Sequence, residues 1–139
     1  MYKNILVPIN PSHGDVGERI LAVARELVNA DGHITALTVV EPLPGYISNY
    51  VSDDALESNK QDAIETLEQM LQDAGISGTA MLREGSPASK ILDVAETIGA
   101  DAIILASHRP DFSTYLIGST AARVVRHADC TVIVERSDG

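Results

Sequence analysis

Residues 105–126 read LASHRPDFSTYLIGSTAARVVR, and the fold turns on how this stretch is parsed. Behind it stands Ala102-Ile103-Ile104-Leu105, an apolar run without polar alternation, which predicts a strand buried on both faces. Ser107-His108-Arg109-Pro110-Asp111 is polar and holds a proline, so it reads as a loop. Gly118-Ser119-Thr120 then reads as the first turn of a helix running to His127. Such a helix start presents unpaired backbone N–H groups, the positive end of the helix dipole and hydroxyl donors at one place, which is chemistry suited to a phosphate. A plainer reading is open on the same residues: Ser119 or Thr120 only caps its own helix.

Working back toward the amino terminus, Ile5-Leu6-Val7-Pro8-Ile9 is another unbroken apolar run, and Pro8, which lacks an N–H, belongs at the end of that strand. Asn10 to Gly14 is a turn, and Asp15 is a candidate N-cap. Ile20, Leu21, Ala24, Leu27 and Val28 follow at helical spacing until Asp31-Gly32. His33 to Val40 reads as the second strand, broken by Glu41-Pro42-Leu43-Pro44-Gly45. Tyr46 to Ser52 has no period and reads as a loop, either an ordinary surface connection or a lid. Asp53 opens a long helix with Leu56, Ala63, Leu67, Met70 and Leu71 on one side and a solvated acidic face on the other, ended by Gly75.

Thr79 to Arg83 is the third strand. Ser86 can cap the next helix and Pro87 suits its first position, with Ile91, Leu92, Ala95 and Ile98 as the buried stripe and Gly99 as the stop. After the quoted stretch, with Val124, Val125 and Ala128 facing inward, Thr131 to Val134 is the fifth strand. Strict β/α alternation predicts one α/β domain over residues 1–139: a doubly wound, five-stranded parallel sheet with helices on both faces. Ligands in such sheets sit beyond the carboxyl ends of the strands, where the strand order reverses. The turns at Asn10 and Ser107 both lie at carboxyl ends, although the sequence alone does not make their strands neighbours.

Composition narrows the function. The net charge of -10 argues against a nucleic-acid binder, which needs a concentrated basic surface. No apolar run is long enough to span a bilayer, and no basic-then-apolar segment precedes the first strand, so the expected location is the cytoplasm and no membrane partner is expected. The single cysteine, Cys130, sits in an apolar run and is expected to be a buried, inert thiol. The core must be aliphatic, since there is no Trp and Phe112 is the only Phe. There is no Gly-Lys-Ser/Thr phosphate loop, no Gly-x-Ser-x-Gly elbow, and no metal spacing among the four histidines. No general base is evident for activating water, so efficient hydrolysis is not expected and no catalytic or metal-binding residue is assigned.

Four stretches carry a family resemblance: KNILVPIN (3–10), ALTVVEP (36–42), EGSPASKIL (84–92) and ASHRPDFSTYLIGSTAARVVRHADCTVIV (106–134). Over its whole length the chain resembles the universal stress proteins, in particular the subgroup with a Gly-Ser-His-Arg-Pro type loop. The resemblance implies a Rossmann-like sheet of order 3-2-1-4-5, like that of the adenine-nucleotide alpha hydrolases, which sets Asn10 and Ser107 on either side of the switch point. It implies binding of ATP, ADP or AMP; separately, Asp111 could hold Mg²⁺ through phosphate oxygens, since such sites often need only one or two carboxylates. It also implies a homodimer through the last strand, which would cover an exposed edge. By position, Pro8, Ile9 and Asn10 would line the adenine end, with Val39 giving backbone contacts to the base. Ala106 and Arg109, with Ser107 and His108 between them, would follow the ribose and phosphates, and Gly118, Ser119 and Thr120 would hold phosphate at the helix start.

The family's nucleotide motif is Gly, two residues, Gly, nine residues, Gly, then Ser or Thr. Here Ala106 falls at the first Gly, Arg109 at the second and Gly118-Ser119 at the last pair. Asn10 stands where the family usually has Asp, which keeps a carbonyl acceptor, adds donors and removes a charge. Arg109 could pair bidentately with phosphate or fill the pocket with its own side chain. His108 and His13 read best as surface histidines, and Gly85 as a turn residue with positive φ. Three functions follow: a nucleotide-binding sensor or regulator in a stress response, a slow ATPase, and a nucleotide-free interaction module.

Overall fold

The computed structural model describes residues 1–48, 50–107 and 118–136. The elements are β1 (Tyr2–Pro8), a 3-10 turn (Pro11–His13), α1 (Gly14–Leu27), β2 (Val28–Val40), α2 (Gly45–Ser48), α3 (Asp53–Asp73), β3 (Thr79–Glu84), α4 (Pro87–Ile98), β4 (Ala102–Ser107), α5 (Ser119–His127) and β5 (Thr131–Arg136). The five strands form one sheet in the order β3-β2-β1-β4-β5, parallel throughout. The order reverses at β1, so the switch point lies between β1 and β4, where Ile5 pairs with Ala102 and Leu6 with Ile103.

Strand alternation sorts the core into two layers. Ile5, Val7, Ile9, Ile34, Ala36, Ala102 and Ile104 point to one face and pack with Ile20, Leu21 and Ala24 of α1 and Leu67, Met70 and Leu71 of α3. Leu6, Leu37, Ile103 and Leu105 point to the other and meet Ala88, Ile91, Val94 and Ala95 of α4 and Ala121 and Val124 of α5. Strands buried on both sides explain the unbroken apolar runs, and each fully buried aliphatic side chain is worth about 1.5–3 kcal/mol. Gly17 lets α1 approach closely: a Cβ there would stand 2.4 Å from Met70 Cε and 2.9 Å from Ile9 Cγ2.

Several local expectations are corrected. The 3-10 turn runs directly into α1, so the cap position falls on His13 and Asp15 lies inside the first turn. That helix ends at Leu27, before Asp31-Gly32, because Val28 is already extended and pairs with Tyr2; the register then shifts so that His33 pairs with Asn4. Tyr46–Ser52 is not all loop: Gly45–Ser48 makes one helical turn and Ser52 caps α3, while Asn49 lies outside the described residues. Val125 is exposed, since on the short α5 only Ala121 and Val124 reach the sheet. Cys130 is half-buried, and burial, with Asp101 and Asp129 adding to it, pushes its thiol pKa up. Gly85 has φ of 142° and Gly99 ends α4 in the left-handed conformation, as expected of both. Among the described residues no helix is long and apolar enough to cross a membrane.

Candidate functional site

A cleft of about 600 Å³ opens at the carboxyl edge of the sheet. Its volume suits a nucleotide-sized ligand, since ligand clefts run to about 300–1,000 Å³. Pro8, Ile9 and Asn10 enter it from the end of β1, Val39 from β2, Ala106 from β4, and Gly118, Ser119 and Thr120 from the start of α5. These eight residues, separated by up to 112 positions (120 minus 8), therefore share one cavity. Ser107 ends β4 half-buried beside the cleft without lining it. His108, Arg109 and Asp111 lie outside the described residues.

The start of α5 is left open. Its N-cap is Gly118, which has no side chain to donate, and no side-chain cap hydrogen bond is made there. The plainer reading, in which Ser119 or Thr120 caps the helix, is thereby removed: both lie inside the first turn. A Cβ on Gly118 would meet nothing within 4 Å among the described residues. No acidic residue occupies the first turn to neutralise the dipole.

The opposite wall is built by the turn after β1. Asn10 caps the 3-10 turn, its side-chain oxygen accepting from the Ser12 N–H at 2.9 Å. One lone pair of that oxygen is thus engaged within the chain, which leaves the second lone pair and the amide N–H groups as the further hydrogen-bonding capacity of Asn10. The Ile9 N–H donates to the Leu37 carbonyl at 2.8 Å, which fixes the end of β1 against β2.

Sequence reasoning missed part of the lining. Pro87 and Ile91 of α4, Val16, Gly17 and Ile20 of α1, Thr38 of β2 and Ala63 of α3 all reach the cleft. Pro87 was findable, since the turn after the third strand also lies at a carboxyl end. The others required knowing how α1 and α3 sit over the sheet. Among the described lining residues there is no Asp, Glu, Lys or Arg, so the polar groups on offer are backbone N–H groups, hydroxyls, the Asn10 amide and the His13 imidazole. Lys60, Asp101 and Cys130, whose pKa values move, are not among them.

With this arrangement in hand, comparison with known proteins places the chain. The model of the universal stress protein family matches residues 1–136. The chain belongs to that family. Universal stress protein G of Escherichia coli O157:H7 is 31% identical over 145 residues, covering 98% of this chain and all of that protein. Among solved structures, the universal stress protein UspA from Lactobacillus plantarum superposes with a TM-score of 0.73 at 27% identity, covering 97% of this chain and 98% of its own. Two more distant neighbours share the fold. One is a universal stress protein in complex with cAMP (TM-score 0.71, 16% identity, 96% and 97% coverage). The other is the Archaeoglobus fulgidus protein in complex with dAMP (TM-score 0.65, 23% identity, 96% and 97% coverage). One detail of the alignment needs correction: eight residues, 110–117, separate Arg109 from Gly118, one fewer than the family's nucleotide motif has.

Proposed function

We propose that this universal stress protein binds an adenine nucleotide at the switch point of its sheet and acts as a cytoplasmic sensor or regulator of the stress response without catalysing a reaction. The observation that carries this reading is the uncapped start of α5, facing a cleft whose described lining holds no Asp, Glu, Lys or Arg. The cAMP and dAMP complexes of two structural neighbours support the same ligand class. Pro8, Ile9 and Val39 would enclose the base, Asn10 would donate to it, Ala106 and the loop from Ser107 to Arg109 would follow the ribose, and Gly118, Ser119 and Thr120 would take the phosphate. Of ATP, ADP and AMP, a monophosphate suits the described lining best, because no charged side chain there offsets further negative charge. A polyphosphate, with or without Mg²⁺, would depend on Arg109 and Asp111. A second copy is expected along β5, an edge strand whose backbone groups would otherwise be unpaired on one side.

The test uses protein purified without added nucleotide, then denatured and chromatographed, followed by thermal melts with AMP, ADP and ATP. Released adenine nucleotide, or a melting temperature raised by AMP, is the expected result; ligand at about a hundred times its Kd adds about 2.7 kcal/mol. Nothing released and no shift with any of the three would overturn the reading in favour of a nucleotide-free interaction module. Steady phosphate release lost on Ser119→Ala would favour the slow ATPase instead.

A further inference from the structure

The cleft has two halves, because its lining residues alternate across the edge of the sheet. Pro8, Leu37, Val39 and Leu105 face α4 and α5, together with the start of α5. Ile9, Thr38 and Val40 face α1 and α3, where Gly17, Ile20 and Ala63 close the space. The family reading assigns the phosphate to the first half and the base to Pro8, Ile9 and Val39 where the halves meet, and gives no role to the wall formed by Thr38, Val40, Ile20 and Ala63.

The second half has a distinct chemistry. Ile9, Val16, Gly17, Ile20, Val40 and Ala63 are apolar, Thr38 is the polar side chain within this wall, and Asn10, Ser12 and His13 stand on the turn that leads into α1. Thr38 is only 4% exposed, yet its hydroxyl has no hydrogen-bond partner among the described residues. No fully enclosed polar side-chain atom there lacks a partner, so this hydroxyl keeps its access through the cleft that Thr38 lines. A hydroxyl held in an apolar wall without a partner forgoes a hydrogen bond that a ligand can restore. The short side chain of Ala63 adds little bulk to this wall, while the space at Gly17 is taken by Met70 and Ile9.

We propose that this half of the cleft is a subsite for a neutral, ring-sized group with one hydrogen-bonding function, and that Thr38 reads that function. The group can arrive as a free small molecule bound beside a nucleotide or as an apolar substituent on the nucleotide's base, since Val39 of one half and Ile9 of the other would both enclose that base. Only the second source rests on the nucleotide reading above.

The test titrates phenol and toluene into isotope-labelled full-length protein and follows amide and methyl NMR signals. Phenol should give saturable shifts confined to Gly17, Thr38, Val40 and Ala63. Thr38→Val should weaken phenol by about threefold to tenfold, the value of one hydrogen bond, and leave toluene unchanged. Ala63→Phe, checked for an unchanged fold by circular dichroism, should abolish both. A second arm compares N6-benzyl-AMP with AMP: a gain of about tenfold that Ala63→Phe removes supports a tethered group, since burying a ring is worth at least that. Saturable phenol binding in the presence of AMP without that gain supports a free ligand. Scattered, unsaturable phenol shifts with no gain for N6-benzyl-AMP would overturn the subsite, as would equal losses of phenol and toluene on Thr38→Val. Phenol titrating here while AMP fails to bind would overturn the nucleotide reading and leave the subsite standing.

Discussion

Two helix starts in this molecule treat their unpaired N–H groups in opposite ways. At α3, Ser52 accepts a hydrogen bond from the Ala55 N–H at 3.1 Å, and Asp53 and Asp54 fill the first turn with negative charge. That end answers its own dipole and needs nothing from outside. At α5 the cap is a glycine, among the described residues no side chain makes a cap bond to the N–H groups, and the first turn holds no acid. A helix end that forgoes about 1 kcal/mol of capping, at the carboxyl edge of a parallel sheet, keeps the donors that the proposed nucleotide's phosphate would use.

The most direct way to break the contrast is to give α5 the device that α3 has. Gly118→Asp would place a capping carboxylate where the ligand's phosphate is expected. Its Cβ meets no neighbour, so folding stability should hold or rise by less than about 1 kcal/mol. Affinity for AMP should fall at least about a hundredfold, roughly 2.7 kcal/mol, through repulsion and loss of the N–H donors. Calorimetry beside a thermal melt separates the two effects; unchanged affinity would remove α5 from the site.

The converse substitution sharpens the contrast. Ser52→Ala removes the cap of α3 and should cost about 1 kcal/mol in a urea titration, with AMP affinity unaltered. A change in affinity would mean that α3 and the cleft are coupled. A third helix start gives a graded case. The N-cap of α4, Ser86, also makes no side-chain cap bond, and Pro87 behind it lines the cleft. Ser86→Asp should weaken AMP by only about twofold to fivefold, the size of a charge–dipole term at an exposed position. A loss as large as that of Gly118→Asp would place the phosphate at α4 instead.

The difference between these helix starts was only half legible in the sequence. Ser52 was read as loop because Tyr46–Ser52 has no period, and Ser86 was read as a working cap because Ser-Pro is a common helix opening. Whether a hydroxyl turns back onto its own helix is a rotamer choice that sequence does not encode. The α/β alternation, in contrast, was written in the unbroken apolar runs at Ile5 and Ala102, since only strands covered on both faces tolerate them. The adjacency of β1 and β4 came from family resemblance, because nothing local in either strand names its neighbour. Thr38 was missed for a geometric reason. Attention fell on Val39, which faces α4 and α5, while period-two alternation sends Thr38 through the sheet to the half of the cleft that the family motif does not describe.

The smallest expected effect concerns the other end of the sheet, where the protein supplies the anion itself. The Asp101 carboxylate accepts from the backbone N–H of Lys3 at 2.8 Å and of Asn4 at 2.9 Å, and the Asp101 N–H donates to the Asn4 carbonyl at 2.9 Å. Burial acts to raise the Asp101 pKa, but the N–H donors of Lys3 and Asn4, its own N–H and the chain's amino terminus outweigh it and hold the carboxyl below its ordinary value. A folded pKa below the unfolded one means that the carboxylate's contribution is present above the unfolded value, about 4, and is lost as pH falls through the lower folded value. Asp101→Ala should therefore cost about 0.5 kcal/mol near neutral pH, a modest figure because the group is exposed to solvent. The gap in urea midpoint between the two proteins should stay constant down to about pH 5 and then close on further acidification. A gap that persists unchanged to pH 3 would mean that Asp101 acts through neutral hydrogen bonding or packing. Asp101 would then not be a built-in counterpart of the phosphate proposed at the other end of the sheet.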